Sequence, residues 1–538
     1  ISTNQSGVGP GYCHIYGVDL TPYAFDASVG GCGNGSDYWD CAKSADGSTW
    51  RTILIGGMRL GGASAPPSAN CCSSTNTSNC NNCMTIPDAT NNNGYSEYFA
   101  LDVTDENNPK LLWEFTNPDL GFTTSGPAVV RISAKGDSTG NSKNGRWFVV
   151  FGSGPTGPMD TTDHQFMGYS DQHLQYFVLD LASGALLKTI DTGVTNAFSG
   201  DLFNVTNDSN MDYQDEALYG GYVRDDGTKT WTQGGVGRIL TLDTATGKEA
   251  VDGSGNPDPT KWSYQQLIDG IGPVTAGIAR LQNNITNKLW LYFGTGRDYY
   301  SYYTSSPVVD ALCNQNYLVG MTDPCYASST SLFDLKCITT NTTDDGNSYP
   351  LPFSGTSKLA SVDLTSTAGA TVSSSQYGWY ITLGGACPPG QASCGSCPAL
   401  FTYPEYEGDP AQGNVTNITD TYGAERVLTD PETAINGTVY FTTMKPYDEQ
   451  CGIGGKSFLW AVYYSNAASL AGTMAGQGTA LLQVSTGSIQ KINLSTSLTF
   501  NGGRSTTAYE GLPPTAAGLA LFTSPPPMMQ MLHIREEK

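Results

Sequence analysis

Along this chain an apolar run repeatedly ends in an aliphatic residue and an aspartate, followed by a small turn. The cell occurs at Leu101-Asp102, at Leu179-Asp180 through Gly184, at Leu242-Asp243 through Gly247 and, in degenerate form, at Val362-Asp363. An aspartate leaving a strand can accept hydrogen bonds from the backbone of the turn, and glycine takes the positive φ that reverses the chain. A second cell runs from an apolar strand into Phe-Gly-Ser/Thr-Gly, at Phe151 to Gly154 and at Phe293 to Gly296. Other short runs, such as Trp50 to Gly57 and Gly378 to Leu383, are rich in β-branched and aromatic residues, and no long amphipathic helical pattern interrupts them. Strand-turn cells repeated from end to end predict radial or stacked repetition. Among propeller, sandwich and solenoid, the propeller best accommodates cells at irregular, insertion-tolerant distances. The expectation is therefore an all-β fold, a β-propeller of about seven or eight blades, forming one domain over residues 1–538.

Compact blades take roughly 40 to 50 residues, so a chain of this length has a large surplus to place in loops. The stretches 58–95, 300–356 and 384–422 are the expected insertions, and they hold ten of the fourteen cysteines. An even number of cysteines in polar, glycine-rich loops predicts disulfides formed in an oxidising compartment. Cys80-Asn-Asn-Cys83 and Cys394-Gly-Ser-Cys397 also read as half zinc sites or redox motifs, but with four histidines in the chain a zinc reading needs all-cysteine sites. Disulfides are the simpler account.

The chain has 26 basic and 49 acidic residues, a formal net charge of −23. Phosphate backbones would repel such a surface, which excludes nucleic acid as the expected partner. No segment has the apolar length of a transmembrane helix. The sequence starts at Ile1 without Met or a secretory signal, which leads us to expect a trimmed piece of a longer protein.

The most chemically suggestive stretch is Asn207 to Tyr222. Counting from Asp208, oxygen donors fall at Asp208, Asn210 and Asp212, then Gln214, then Glu216. Ca²⁺ takes about six to eight oxygens, and short loops supply them from alternate positions with a backbone carbonyl and a closing acid. The spacing fits a short calcium loop, although it closes earlier than an EF-hand and has Tyr213 where glycine usually permits the sharp turn. Asn- and Asp-rich hairpins also arise for turn chemistry alone, so a solvated turn is the alternative reading.

Laid in order, the cells resemble the C-terminal propeller of the PilY family, the tip-associated adhesin and assembly factor of bacterial type IV pili. The residues that carry the resemblance are Trp50 to Gly57, Tyr98 to Asp105, Leu112 to Phe115, Asp119 to Phe122, Ser125 to Pro127 and Arg146 to Gly154. They continue through the acidic hairpin into Tyr219 to Tyr222, then Gly378 to Leu383, Glu425 to Leu428, Val439 to Thr443, Cys451 to Gly455 and Phe458 to Ala461. By position, the resemblance implies Ca²⁺ ligands at Asp208, Asn210, Asp212, Gln214 through its carbonyl, and Glu216; Glu replaces the family's usual closing Asp. It implies no enzyme but an extracellular pilus-tip protein, which caps or primes the filament with minor pilins, adheres to a host or abiotic surface and links calcium to extension and retraction. The family's larger N-terminal region is absent from this sequence.

A pyrroloquinoline-quinone-dependent dehydrogenase is the enzymatic rival, since such quinoprotein propellers also use calcium and Asp-x-x-Thr-Gly repeats. Asp243 to Gly247 resembles one repeat, and Cys71-Cys72 resembles a vicinal disulfide, but the tryptophan that completes the repeat is missing. A secreted carbohydrate-binding propeller is a second rival, suggested by Tyr299, Tyr300, Tyr302 and Tyr303; such a run is more often packing or an interface. The Met-rich segment from Pro525 to Ile534 reads equally as a partner-binding strand or the strand that closes the last blade.

Overall fold

In a computed structural model, residues 17–29, 49–63, 96–132, 146–159, 166–210, 214–299, 315–383, 424–446 and 455–469 are described, with short interruptions, as are a few strands between 401 and 523. The described residues are nearly all β, with one six-residue α-helix, Leu335–Thr340. They divide into two compact units, the first comprising Ile1–Leu289, Thr295–Ala311 and Thr322–Ser357, the second Trp290–Gly294, Leu312–Met321 and Lys358–Lys538.

Three successive, mainly antiparallel sheets make up most of the described first unit. The first runs in sequence order through Tyr23–Ala27, Arg51–Gly57, Tyr98–Asp102 and Lys110–Phe115. The second runs through Ala128–Arg131, Trp147–Gly152, Gln175–Asp180 and Leu186–Asp191. In the third, Ala197–Ser199 and Thr206–Asn207 both pair with Ala217–Arg224, which is followed by Gln233–Leu240 and Ser263–Asp269, with Phe353–Ser354 added in parallel.

Side-chain alternation explains why the strand Trp147–Gly152 is apolar throughout. Successive residues of a strand point to opposite faces of its sheet. Trp147, Val149 and Phe151 enter a core shared with Ile53, Ile55, Tyr98 and Trp113 of the first sheet. Phe148 and Val150 face a core shared with Leu218, Tyr222 and Ile239 of the third. A sheet buried on both faces needs apolar residues at both parities, so the run lacks the alternation of a half-exposed strand.

The Leu-Asp cells are the turns that leave these sheets. Asp102 accepts the N–H of Thr104 at 3.0 Å, Asp180 that of Ser183 at 2.9 Å and Asp243 that of Ala245 at 2.9 Å. Asp102 and Asp180 end the third strands of their sheets. Leu242–Asp243, which follows the third sheet's strand Gln233–Leu240, forms a separate short hairpin with Lys248–Glu249.

In the second unit, Tyr317 to Met321 pair antiparallel with Gly378–Thr382, which pairs in parallel with Leu359–Ser361. A separate sheet joins Glu432–Thr433, Thr438–Pro446, Gly455–Tyr463 and Tyr509–Glu510. Its interior holds a buried relay in which Trp460 Nε1 donates to Thr443 Oγ1 and Thr443 Oγ1 donates to Glu425 Oε1.

Among the described cysteines, Cys325 and Cys337 form a disulfide within the expected 300–356 insertion, where Tyr317–Thr322 is a sheet strand. The Cys71-Cys72 pair, both Cys-x-x-Cys motifs, the 384–400 stretch and residues 525–538 lie outside the described residues. No helix among the described residues is long and apolar enough to cross a membrane.

Candidate metal centre at the acidic hairpin

The hairpin is framed by pairing of Asn207 with Ala217, so residues 208–216 form its loop. The frame is closed by Glu216 N–H donating to Asn207 O at 3.0 Å. The Glu216 carboxylate then turns back across the loop, where Oε2 accepts the N–H of Ser209 at 2.6 Å. Glu216 is 4% exposed, so its charge is withdrawn from bulk water. Ser209 is itself fixed from two sides: Asn207 Nδ2 donates to its hydroxyl at 2.7 Å and Gln282 Nε2 to its carbonyl at 2.7 Å.

Of the residues expected as ligands, Asp208 and Gln214 are half-buried and Asn210 is exposed, while Asp212 lies outside the described residues, as does Tyr213. The hairpin thus brings the first and ninth positions to the two ends of one closed loop. Among the described residues no group of three or more His, Cys, Asp or Glu is placed to hold a metal ion. The donors on the loop are carboxylate, amide and carbonyl oxygens, the hard set that suits Ca²⁺. The turned-back Glu216 carboxylate closes the loop through its bond to the Ser209 N–H.

Asp215 is the residue that the alternating count passes over. It sits at the opposite parity from Gln214 and Glu216 and enters the core, 3% exposed. Its Oδ2 accepts the backbone N–H of Arg131 at 2.7 Å, with Arg131 Nε at 3.7 Å, and its own N–H donates to Arg131 O at 2.9 Å. Burial pushes the Asp215 carboxyl up; Arg131 opposes the shift and the charge of Asp208 adds to it. Desolvation brings the nearby Arg280 guanidinium down to about 10, with Asp215 and the phenol of Tyr219 acting against the shift.

Beside the loop lies a cleft of about 300 Å³, lined by Asn210, Gln214, Asp215 and Glu216 on one side and by Thr241, Gly247 and Lys248 on the other. Thr241 holds the two walls together. Its hydroxyl donates to Asp215 O at 2.6 Å and its N–H to Glu216 O at 3.0 Å.

The features offered for the rival readings have local explanations where they are described. The Asp243 to Gly247 repeat is a tight turn in which Gly247 has φ +68°. The ring of Tyr299 packs edge-on to Phe198 at 5.8 Å and under the guanidinium of Arg297 at 5.2 Å, as expected for packing. Tyr300, Tyr302 and Tyr303 lie outside the described residues.

Stacked antiparallel sheets with an oxygen-rich hairpin define an all-β scaffold of the kind that the sequence led us to expect. Over 196 residues, 35% of this chain, it is 28% identical to the type IV pilus biogenesis factor PilY1 of Pseudomonas aeruginosa strain PAO1. Over 202 residues it is 25% identical to the type IV pilus biogenesis factor PilY1 homolog of Xylella fastidiosa. These matches span 11% and 13% of those relatives' own lengths. Its fold is similar to the crystal structure of the Pseudomonas aeruginosa PilY1 C-terminal domain, with a TM-score of 0.49 and 17% identity, covering 95% of this chain and 85% of that one. No protein-family model matches the chain. The PilY resemblance read from the sequence is borne out by the matched relatives.

Proposed function

We propose that this chain works in type IV pilus biogenesis as an extracellular, non-enzymatic β-propeller that binds Ca²⁺ at its acidic hairpin. In this reading it associates with minor pilins at the pilus tip and contributes to adhesion and to the control of extension and retraction. The observation that supports the pilus role is the 28% identity to PilY1 over 196 residues. The propeller reading is supported by the succession of mainly antiparallel sheets, the second of which packs against its neighbours on both faces.

The side chains of Asp208, Asn210, Asp212 and Glu216 and the carbonyl of Gln214 would hold the ion. Bound Ca²⁺ supplies positive charge and oxygen coordination that offset repulsion among clustered carboxylates. Glu216 closes the loop through Ser209, and Asp215, neutralised by Arg131, anchors its base. An ion that binds only the folded loop stabilises the fold by RT ln(1 + c/Kd), where c is the free Ca²⁺ concentration.

The test of the pilus role is genetic. Deleting the gene in the bacterium that encodes it should reduce surface pili seen by electron microscopy, and the wild-type gene should restore them. Immunogold label on the restored protein should fall at filament ends. Unchanged pilus number and motility after deletion would remove the proposal.

A further inference from the structure

We infer that Tyr219 and Asp323 link the acidic hairpin to the disulfide-closed Cys325 turn and the Leu335–Thr340 helix, so that a cation in the hairpin tightens this segment. The inference rests on the reading of the hairpin as a Ca²⁺ loop and adds a second element that responds to the ion.

The path begins at Glu216, the last residue of the loop, which leads directly into the strand Ala217–Arg224. Tyr219 is three residues along, directly opposite Arg238 on the neighbouring strand. Both side chains grip one carboxylate: Tyr219 donates its hydroxyl to Asp323 Oδ2 at 2.8 Å, and Arg238 Nη1 donates to both Asp323 oxygens. The side chains of Arg238 and Asp323 are 0% exposed. Water therefore offers no substitute partner if one of these groups shifts.

The far end of the segment returns to the same arginine. Arg238 Nη2 donates to Gln265 Oε1, and Gln265 Nε2 donates at 3.1 Å to Oδ1 of Asn341, the residue that caps the helix C-terminus. The ends are also joined internally, since Asp323 Oδ1 accepts the Cys325 N–H at 2.9 Å and Cys325 is bonded to Cys337. A separate contact reaches the cleft: a Cβ on Gly247 would stand 3.1 Å from Leu335, and Gly247 and Glu216 line the same cleft.

If Asp208, Asp212 and Glu216 share one ion, as the proposed function holds, their carboxylates repel one another without it and loosen the start of the strand. Because Tyr219 moves with that strand, its grip on Asp323 depends on the order of the loop. Coupling of this kind is read as a change in the opening of the distant element.

The disulfide gives a direct readout because both of its cysteines are 0% exposed. A dithiol reductant reaches them when the segment opens, so the reduction rate follows the opening equilibrium. In the full chain, Ca²⁺ binding is measured by calorimetry and Cys325–Cys337 reduction by dithiothreitol is followed by alkylation and peptide mass spectrometry. The expected result is reduction slowed on the order of fivefold or more by Ca²⁺, with the slowing lost in Tyr219→Phe although that variant still binds the ion. If Ca²⁺ binds and the wild-type rate stays the same, the coupling is overturned and the metal reading survives. If Tyr219→Phe responds as wild type does, the Tyr219 route is overturned. If calorimetry shows no binding, the metal reading falls and the coupling with it.

Discussion

Trp113 donates its indole N–H to the carbonyl of Leu181 at 2.8 Å, fastening the last strand of the first sheet to the turn of the second. The same ring lies over Gly184, where a Cβ would come within 2.4 Å of Trp113 Cγ. Gly184 has φ +70°, so the turn needs glycine for its backbone and for the tryptophan.

Gly184→Ala is expected to destabilise the protein by about 2 kcal/mol or more, from the left-handed backbone and from the crowding of Trp113. Gly193→Ala is the control, since Gly193 has φ +72° and nothing within 4 Å of its added Cβ. It should lose only the backbone contribution, about 1 to 2 kcal/mol. Urea midpoints of the two variants measure the difference, and equal losses would show that the ring yields freely.

Removing one partner of the buried Arg238–Asp323 pair should cost far more than removing both. Asp323→Ala leaves a buried guanidinium without its counter-charge, and a loss of about 3 to 5 kcal/mol is expected. The double variant Arg238→Met with Asp323→Leu should recover much of that loss. Denaturant unfolding of the single and double variants checks the order.

Asp208→Ala and Glu216→Gln should each weaken Ca²⁺ binding, and chelation should lower the Tm of the wild-type protein but not of these variants. Free Ca²⁺ at about a hundredfold over its Kd would add about 2.7 kcal/mol to wild-type stability. Calorimetry with scanning of thermal unfolding in calcium and in chelator tests this, and a wild-type Tm indifferent to both would contradict it.

At one end of the strands of the third sheet, Arg224 grips Asp269 through Nε at 2.8 Å and Nη2 at 2.7 Å, and Tyr222 donates its hydroxyl to the same carboxylate at 2.7 Å. Burial pushes the Asp269 carboxyl up, but the bonds from Arg224 and Tyr222 outweigh it and hold the group below its ordinary value. A depressed folded-state value means that the contribution is present above the unfolded carboxylate range, about pH 4. It is lost as pH falls through the lower folded value. Asp269→Asn should therefore flatten the acid side of the stability profile, as read from urea midpoints between about pH 2 and 6.

The local cells of the fold were legible because their physics is local. Asp102, Asp180 and Asp243 each bond the backbone two or three residues on, so the aspartate and its turn stand together in the sequence. The hairpin was legible for the same reason, with its ends paired at Asn207 and Ala217. Asp215 was missed because an alternating count follows one face of the chain, and this carboxylate occupies the other. Its partner Arg131 is 84 residues away. Asp323 was hidden in the same way, since Arg238 precedes it by 85 residues and its other partner is a tyrosine in an apolar strand. Buried partners brought together by sheet packing leave no spacing to count.

In the third sheet Gly220 and Gly237 stand directly opposite one another. A Cβ on Gly237 would fall 2.3 Å from the Tyr264 ring, and one on Gly220 would fall 2.6 Å from the Tyr176 hydroxyl. Two tyrosines thus rest on bare main chain from opposite strands. A larger residue at Gly237 must displace the Tyr264 ring, and one at Gly220 must displace both the Tyr176 hydroxyl and Leu202, which makes this saddle one of the least negotiable places in the protein for evolution or for an engineer.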